Sequence, residues 1–150
     1  MQKAIWIDAG IHAREWLAPA VAMMLIQKLL LEIRQKNKKV ISKTWYILPV
    51  ANPDGYVYSR LHDRLWRKNR RKSSQLISEW HPMNGHICDG VDLNRNFGYK
   101  WNSVSRGQKM CSEDYHGIKP FSEPETKAMA SFLMKNKNHM VATLSLHTYG

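Results

Sequence analysis

The chain has 150 residues, 43% of them apolar, enough to bury a core and to exclude global disorder. Lys and Arg number 23 against 12 Asp and Glu, a formal net charge of +11 concentrated in residues 34–39 and 64–72. Such clusters suit nucleic acid, a membrane surface or an acidic ligand, or are simply a solvated helix end and a solvated loop.

Residues 4–9 form a short apolar run that reads as a buried strand, punctuated by Gly10. Residues 16–34 carry a long apolar periodicity that predicts a helix, with Pro19 in its first turn and the cations of 34–39 closing it. Its apolar part stops at Gln27 and Lys28, too short to span a bilayer, and no leader-like apolar region precedes residue 4. Residues 44–50 predict a second strand, and Asn52-Pro-Asp-Gly55 is a turn by composition. From there to Phe121 no helical period stands out. Tyr56, Tyr58, Trp66, Trp80 and Trp101 argue against disorder in this stretch, which predicts functional loops. Ser122-Glu-Pro-Glu125 reads as a capping box with Ser122 as N-cap, opening a helix to about Asn136. Residues 140–146 predict a third strand. The β, α, β order followed by a further α, β unit predicts an α/β layered fold.

His12 and Glu15 stand just past the first strand, and His147 ends the third. Two imidazoles and a carboxylate are a known ligand set for catalytic zinc. Open α/β sheets place ligands at the C-terminal ends of their strands, and two such ends meet if the strands are parallel neighbours. On spacing alone a second reading stands equal: a turn histidine and a first-turn helix acid. Asp92 favours the metal, because ligating histidines donate their other N–H to a carboxylate or carbonyl. Arg64, Arg67, Arg70 and Arg71 flank Trp66, and Asn94-Arg95 lies further on; the arginine fork matches a carboxylate. The alternative for this block is a basic nucleic-acid loop, but it carries no nucleic-acid fold signature. Cys88 and Cys111 are open to pairing or to remaining free thiols.

Taken together, Asp8-Ala-Gly-Ile-His-Ala-Arg-Glu-Trp16, Asn52-Pro-Asp-Gly-Tyr56, Arg64-Leu-Trp-Arg-Lys-Asn-Arg70, Gly90-Val-Asp-Leu-Asn-Arg-Asn-Phe97, Cys111-Ser-Glu-Asp-Tyr-His-Gly117, Phe121-Ser-Glu-Pro-Glu125 and Leu146-His-Thr-Tyr149 resemble a zinc metallocarboxypeptidase of the pancreatic A/B type. The blocks follow the family's order and cover about half of its catalytic domain. The resemblance implies a partial mixed-sheet α/β/α domain over residues 1–150, lacking the family's first strands and its C-terminal part. It implies one zinc ion held by His12, Glu15 and His147, with Asp92 orienting His12. It makes Arg67 the stabiliser of the oxyanion, Asn94 and Arg95 the clamp on the substrate's C-terminal carboxylate, and Arg14, Arg64 and Tyr149 the lining of neighbouring subsites. It pairs Cys88 with Cys111.

For the parent protein the resemblance implies secretion, a propeptide, and peptide or protein C-termini as substrate, with no nucleic acid and no membrane span. The family's activating glutamate, mobile tyrosine and side-chain pocket residue fall C-terminal of the third ligand, so residues 1–150 are expected to be an inactive fragment. The alternative is a non-catalytic remnant that binds zinc or peptide C-termini. The expected last strand presents an open edge, and Glu79-Trp-His81 has no role in the family pattern.

Overall fold

In the computed structural model, residues 2–72, 88–101 and 109–149 are described. Strand β1 (Ala4–Ala9) lies between β2 (Thr44–Leu48) and β3 (Met140–Leu146), and both pair with it in parallel. Parallel neighbours need crossover connections, and the long helix α1 (Leu17–Arg34) supplies the one from β1 to β2. The two-residue alternation of β1 then assigns its faces. Trp6 packs with Tyr46 and Leu48 against Met129 and Phe132 of helix α4 (Pro124–Asn136). Ala9 packs on the other face with Ile47 and Leu146 against Ala18 and Ala22 of α1. The result is the expected α/β/α layering. All three described strands are parallel, and the antiparallel strands of a mixed sheet are not among the described residues. Among the described residues, strand β3 is an edge of this sheet, with Val141 and Leu144 about half exposed.

Several boundaries differ from the sequence reading. A short helix α2 (Lys38–Ile41) follows α1, because Asn37 Oδ1 accepts the Lys39 N–H at 3.0 Å and caps it. Strand β2 stops at Leu48, short of residue 50. The largest correction is helix α3 (Pro53–Leu61), which stands where a turn and a loop were expected. Asn52 caps it by accepting the Gly55 N–H at 3.0 Å, and Pro53 fits the first turn. The buried residues of α3 are Gly55 and Ser59, four apart but not apolar, so no hydrophobic period announces them. Gly55 has to be small: a Cβ there would lie 2.6 Å from the Lys68 carbonyl.

Helix α4 begins one residue later than the capping-box pattern implies. Glu123, not Ser122, is the N-cap residue, and no side chain caps the helix. Ser122 Oγ instead accepts from Asn96 Nδ2 and donates to Glu123 Oε1, each at 2.8 Å. Fully buried Asn96 also accepts the Glu123 N–H at 3.2 Å and the Thr126 hydroxyl at 2.7 Å on its Oδ1. A residue 27 positions away in sequence therefore sets this helix start.

Glu125, on the first turn of α4, is held above its ordinary pKa of 4.5 by burial and by the neighbouring charges of Glu123 and Asp54; its own backbone N–H and Asn69 only partly oppose this. The folded chain thus binds this proton more tightly than the unfolded chain. That stability is fully present below 4.5 and is lost as pH rises through the raised folded value. Glu125→Gln is therefore expected to melt at a higher temperature than the parent near neutral pH, with the gain vanishing at about pH 4. Melting curves at the two pH values check this, and an equal gain at both would contradict it.

Cys88 and Cys111 form a disulfide across 23 positions of sequence. The motif Glu79-Trp80-His81 lies outside the described residues.

Candidate metal centre

The parallel pairing of β1 with β3 brings His12 and His147 to the same end of the sheet. Gly10 adopts φ +65°, a conformation that glycine enters at little cost, and turns the chain out of β1 into His12. Residues His12 to Trp16 lead into α1, with Trp16 as its N-cap residue. His12 and Glu15 are buried at 4% and 6% exposure, whereas His147 is open to solvent on one side.

Glu15 is the pivot. Its Oε1 lies 2.7 Å from His12 Nδ1, and its Oε2 lies 3.0 Å from His147 Nδ1. The backbone N–H of Thr148 donates to the same Oε2 at 3.1 Å, tying the end of β3 to the start of α1. The ligand atoms of all three residues fall within 4.8 Å of one another. Burial opposes the Glu15 charge, but the His12 hydrogen bond, the Thr148 N–H and both imidazoles outweigh it and hold the carboxyl below its ordinary range.

Asp92 lies behind His12 and is fully buried. Its Oδ1 sits 3.3 Å from His12 Nε2, close but not aligned as a hydrogen bond, and caps the 3-10 helix Leu93–Arg95 by accepting the Asn94 N–H at 2.9 Å. Its Oδ2 accepts from Arg67 Nε at 3.0 Å and Nη2 at 2.8 Å. A buried carboxylate is tolerable when paired this way. Burial disfavours its charge, yet the His12 contact and the Arg67 guanidinium keep it ionised below the usual carboxylate range. His12 is the complement: burial works against its cation, and Asp92 and Glu15 overcome that and raise its pKa.

The ligand set fits a zinc ion on chemical grounds: two imidazole nitrogens and a carboxylate converge, and each imidazole has its second nitrogen turned toward an oxygen.

A zinc carboxypeptidase family profile matches residues 1–150. The chain belongs to the zinc carboxypeptidase family. It is 40% identical to carboxypeptidase O of Homo sapiens over 152 residues, covering 99% of this chain and 38% of that one. Carboxypeptidase B2 of Homo sapiens is 43% identical over 152 residues, covering 99% and 34%. The solved carboxypeptidase A from Helicoverpa armigera superposes with a TM-score of 0.86 at 36% identity, covering 99% of this chain and 34% of that one. The chain thus spans 38% or less of the length of these relatives.

The remaining expected site residues fall into two groups. Arg14 Nη1 donates to the Leu65 carbonyl and to Glu113, both at 3.2 Å, and Arg64 Nη1 donates to the Arg14 carbonyl at 2.9 Å. The Arg64 guanidinium also stacks 3.8 Å from the Trp16 ring, with Arg60 4.4 Å from it. Asn94 and Arg95 are exposed on the 3-10 helix that Asp92 caps. Tyr149 is fully exposed and makes no described contact with the cluster.

Sequence reasoning gave no role to the asparagines that assemble these parts. Buried Asn52 donates to the Ile11 carbonyl at 3.2 Å and the Lys68 carbonyl at 3.1 Å, joining the segment before His12 to the one carrying Arg67. Buried Asn69 accepts the Val91 N–H at 2.8 Å and donates to Glu123 at 2.8 Å. Asn52 had a legible signal as the residue before a first-turn proline. For Asn69 the two partners that join segments, Val91 and Glu123, lie 22 and 54 positions away and leave no local pattern.

Proposed function

We propose that this chain is the zinc-binding and carboxylate-binding part of a metallocarboxypeptidase that removes C-terminal residues from peptides. The observation that carries the reading is the convergence of His12, Glu15 and His147 at adjacent ends of parallel strands. These three residues would hold the zinc ion. Zinc in such a site polarises a carbonyl and acidifies water. Asp92 lies 3.3 Å behind the His12 ring and fixes two of the Arg67 nitrogens, which would orient the rest of that guanidinium for charge developing on a scissile carbonyl. Asn94 and Arg95 would grip the free carboxylate of the substrate, and Arg14, Arg64 and Tyr149 would line adjoining subsites. Secretion and control by a propeptide belong to the same reading of the parent. Among the described residues, no helix is long and apolar enough to cross a membrane.

One observation favours binding without turnover by residues 1–150 alone. Among the described residues, the two carboxylates at the cluster are committed, Glu15 to two imidazoles and Asp92 to Arg67, so neither is available as a general base. That role normally contributes about 10²–10⁴ in rate.

The test is calorimetry on the zinc-loaded chain with an N-blocked dipeptide and with its C-terminal amide. Hydrogen bonds to a charged group contribute about 1.5–3 kcal/mol, so the acid is expected to bind roughly 10–100-fold more tightly. Arg95→Ala should remove most of that difference. Equal binding of acid and amide would rule out the carboxylate clamp.

A further inference from the structure

His12 is backed directly by a carboxylate, and His147 is backed by one at a remove. His147 Nε2 lies 3.3 Å from Ser145 Oγ, two residues earlier on β3. Ser145 Oγ donates to Asp8 Oδ1 at 2.6 Å across the β1–β3 pair, where the two residues are register partners. Asp8 is 6% exposed, and its other oxygen accepts the Trp6 indole N–H at 2.7 Å. The Asp8 carboxylate is therefore held from both sides, by a core tryptophan and by the serine.

The proton count gives this line a direction. A serine hydroxyl has one proton, and that proton is committed to Asp8. Its oxygen can then meet His147 Nε2 only as an acceptor, so Nε2 is the nitrogen that carries hydrogen. A ring whose single hydrogen sits on Nε2 keeps its lone pair on Nδ1, which faces Glu15 Oε2 at 3.0 Å. A lone pair opposite a carboxylate oxygen is satisfied by a cation between them.

We propose that Asp8 and Ser145 form a positioning relay for His147, Asp8 orienting the Ser145 hydroxyl so that it accepts from Nε2 and presents Nδ1 to the metal. The relay rests on the zinc-site reading and adds two residues to it. It is the counterpart of Asp92 behind His12, so each imidazole has a carboxylate behind it, one directly and one through a hydroxyl. The arrangement also accounts for two polar residues, Asp8 and Ser145, on a face that packs Trp6 and Met129. Asp8, Ser145 and Asn94 share the lining of one cavity of about 220 Å³ with those apolar side chains.

The experiment is zinc titration by calorimetry on the full chain and on Ser145→Ala, Ser145→Thr, Asp8→Asn and the double variant Asp8→Asn/Ser145→Ala. Outer-shell partners of metal ligands are worth about 10–100-fold in affinity, and an indirect partner belongs at the lower end. Ser145→Ala is expected to bind zinc about 10-fold more weakly, and Ser145→Thr, which keeps the hydroxyl, should recover most of the loss. The double variant should bind no more weakly than Ser145→Ala, because Asp8 acts only through the hydroxyl. Unchanged affinity in Ser145→Ala overturns the relay while leaving the zinc site standing. So does an Asp8→Asn penalty that is undiminished in the Ser145→Ala background. Absence of zinc binding by the parent chain overturns the site and the relay together. Ser145 is exposed, so the alanine–threonine pair decides the matter even if Asp8→Asn fails to fold.

Discussion

Glu15→Ala is expected to lower zinc affinity by more than about 100-fold, beyond the upper end of what outer-shell substitutions cost. Three losses coincide at this one side chain. The carboxylate ligand goes; the group that faces Nδ1 of both His12 and His147 goes; and the Thr148 N–H loses its acceptor. The last loss matters because His147 is the exposed ligand, and the bond from the end of β3 to Glu15 helps hold it near the buried pair. Glu15→Gln should fall between the parent and the alanine variant, since an amide keeps one oxygen and much of the shape but not the charge. Zinc titration by calorimetry checks both. A loss of less than about 10-fold in Glu15→Ala would mean that the metal, if bound, is held elsewhere.

The second large effect is on stability. Replacing both Cys88 and Cys111 with serine is expected to cost about 3.4 kcal/mol, from the loop entropy of a closure of this length. For a chain of this size that corresponds to roughly 7–14 °C in melting temperature. The cost should reach the site as well. Cys88 leads within four residues to Asp92, through Asp89, which pairs with Lys72 at 3.2 Å, and Gly90, whose N–H donates to the Arg71 carbonyl at 2.7 Å. Loosening this segment should weaken zinc binding by way of Asp92. Thermal melts of parent and double-serine variant, with and without reductant, provide the check. A shift under about 2 °C would show that the hydrogen bonds of Asn69 and Asp92 hold the segment without the bond.

The convergence of His12, Glu15 and His147 and the pairing of Cys88 with Cys111 were legible through the family resemblance, whereas spacing and residue type alone left both open. The central strand and α1 were legible because an apolar run and a 3.6-residue period are local signals. Helix α3 was not, because it docks through Gly55 and Ser59, and a stripe of small residues has no hydrophobic period. The start of α4 was misplaced by one residue, because Ser122 is drawn away by Asn96, a partner that no local pattern reveals.

Residue order alone thus pointed to His12, Glu15 and His147 as a possible ligand set and to most of the regular elements. Tertiary structure decided that β1 and β3 are parallel neighbours, which puts His12 and His147 at one end of the sheet. It also decided that Ser145 lies opposite Asp8, and that Asn52, Asn69 and Asn96 tie the site's segments together. The physical reason is distance along the chain. Strand pairing and buried polar networks join residues up to 137 positions apart, and their free energy comes from mutual satisfaction of groups that have no signature until they meet.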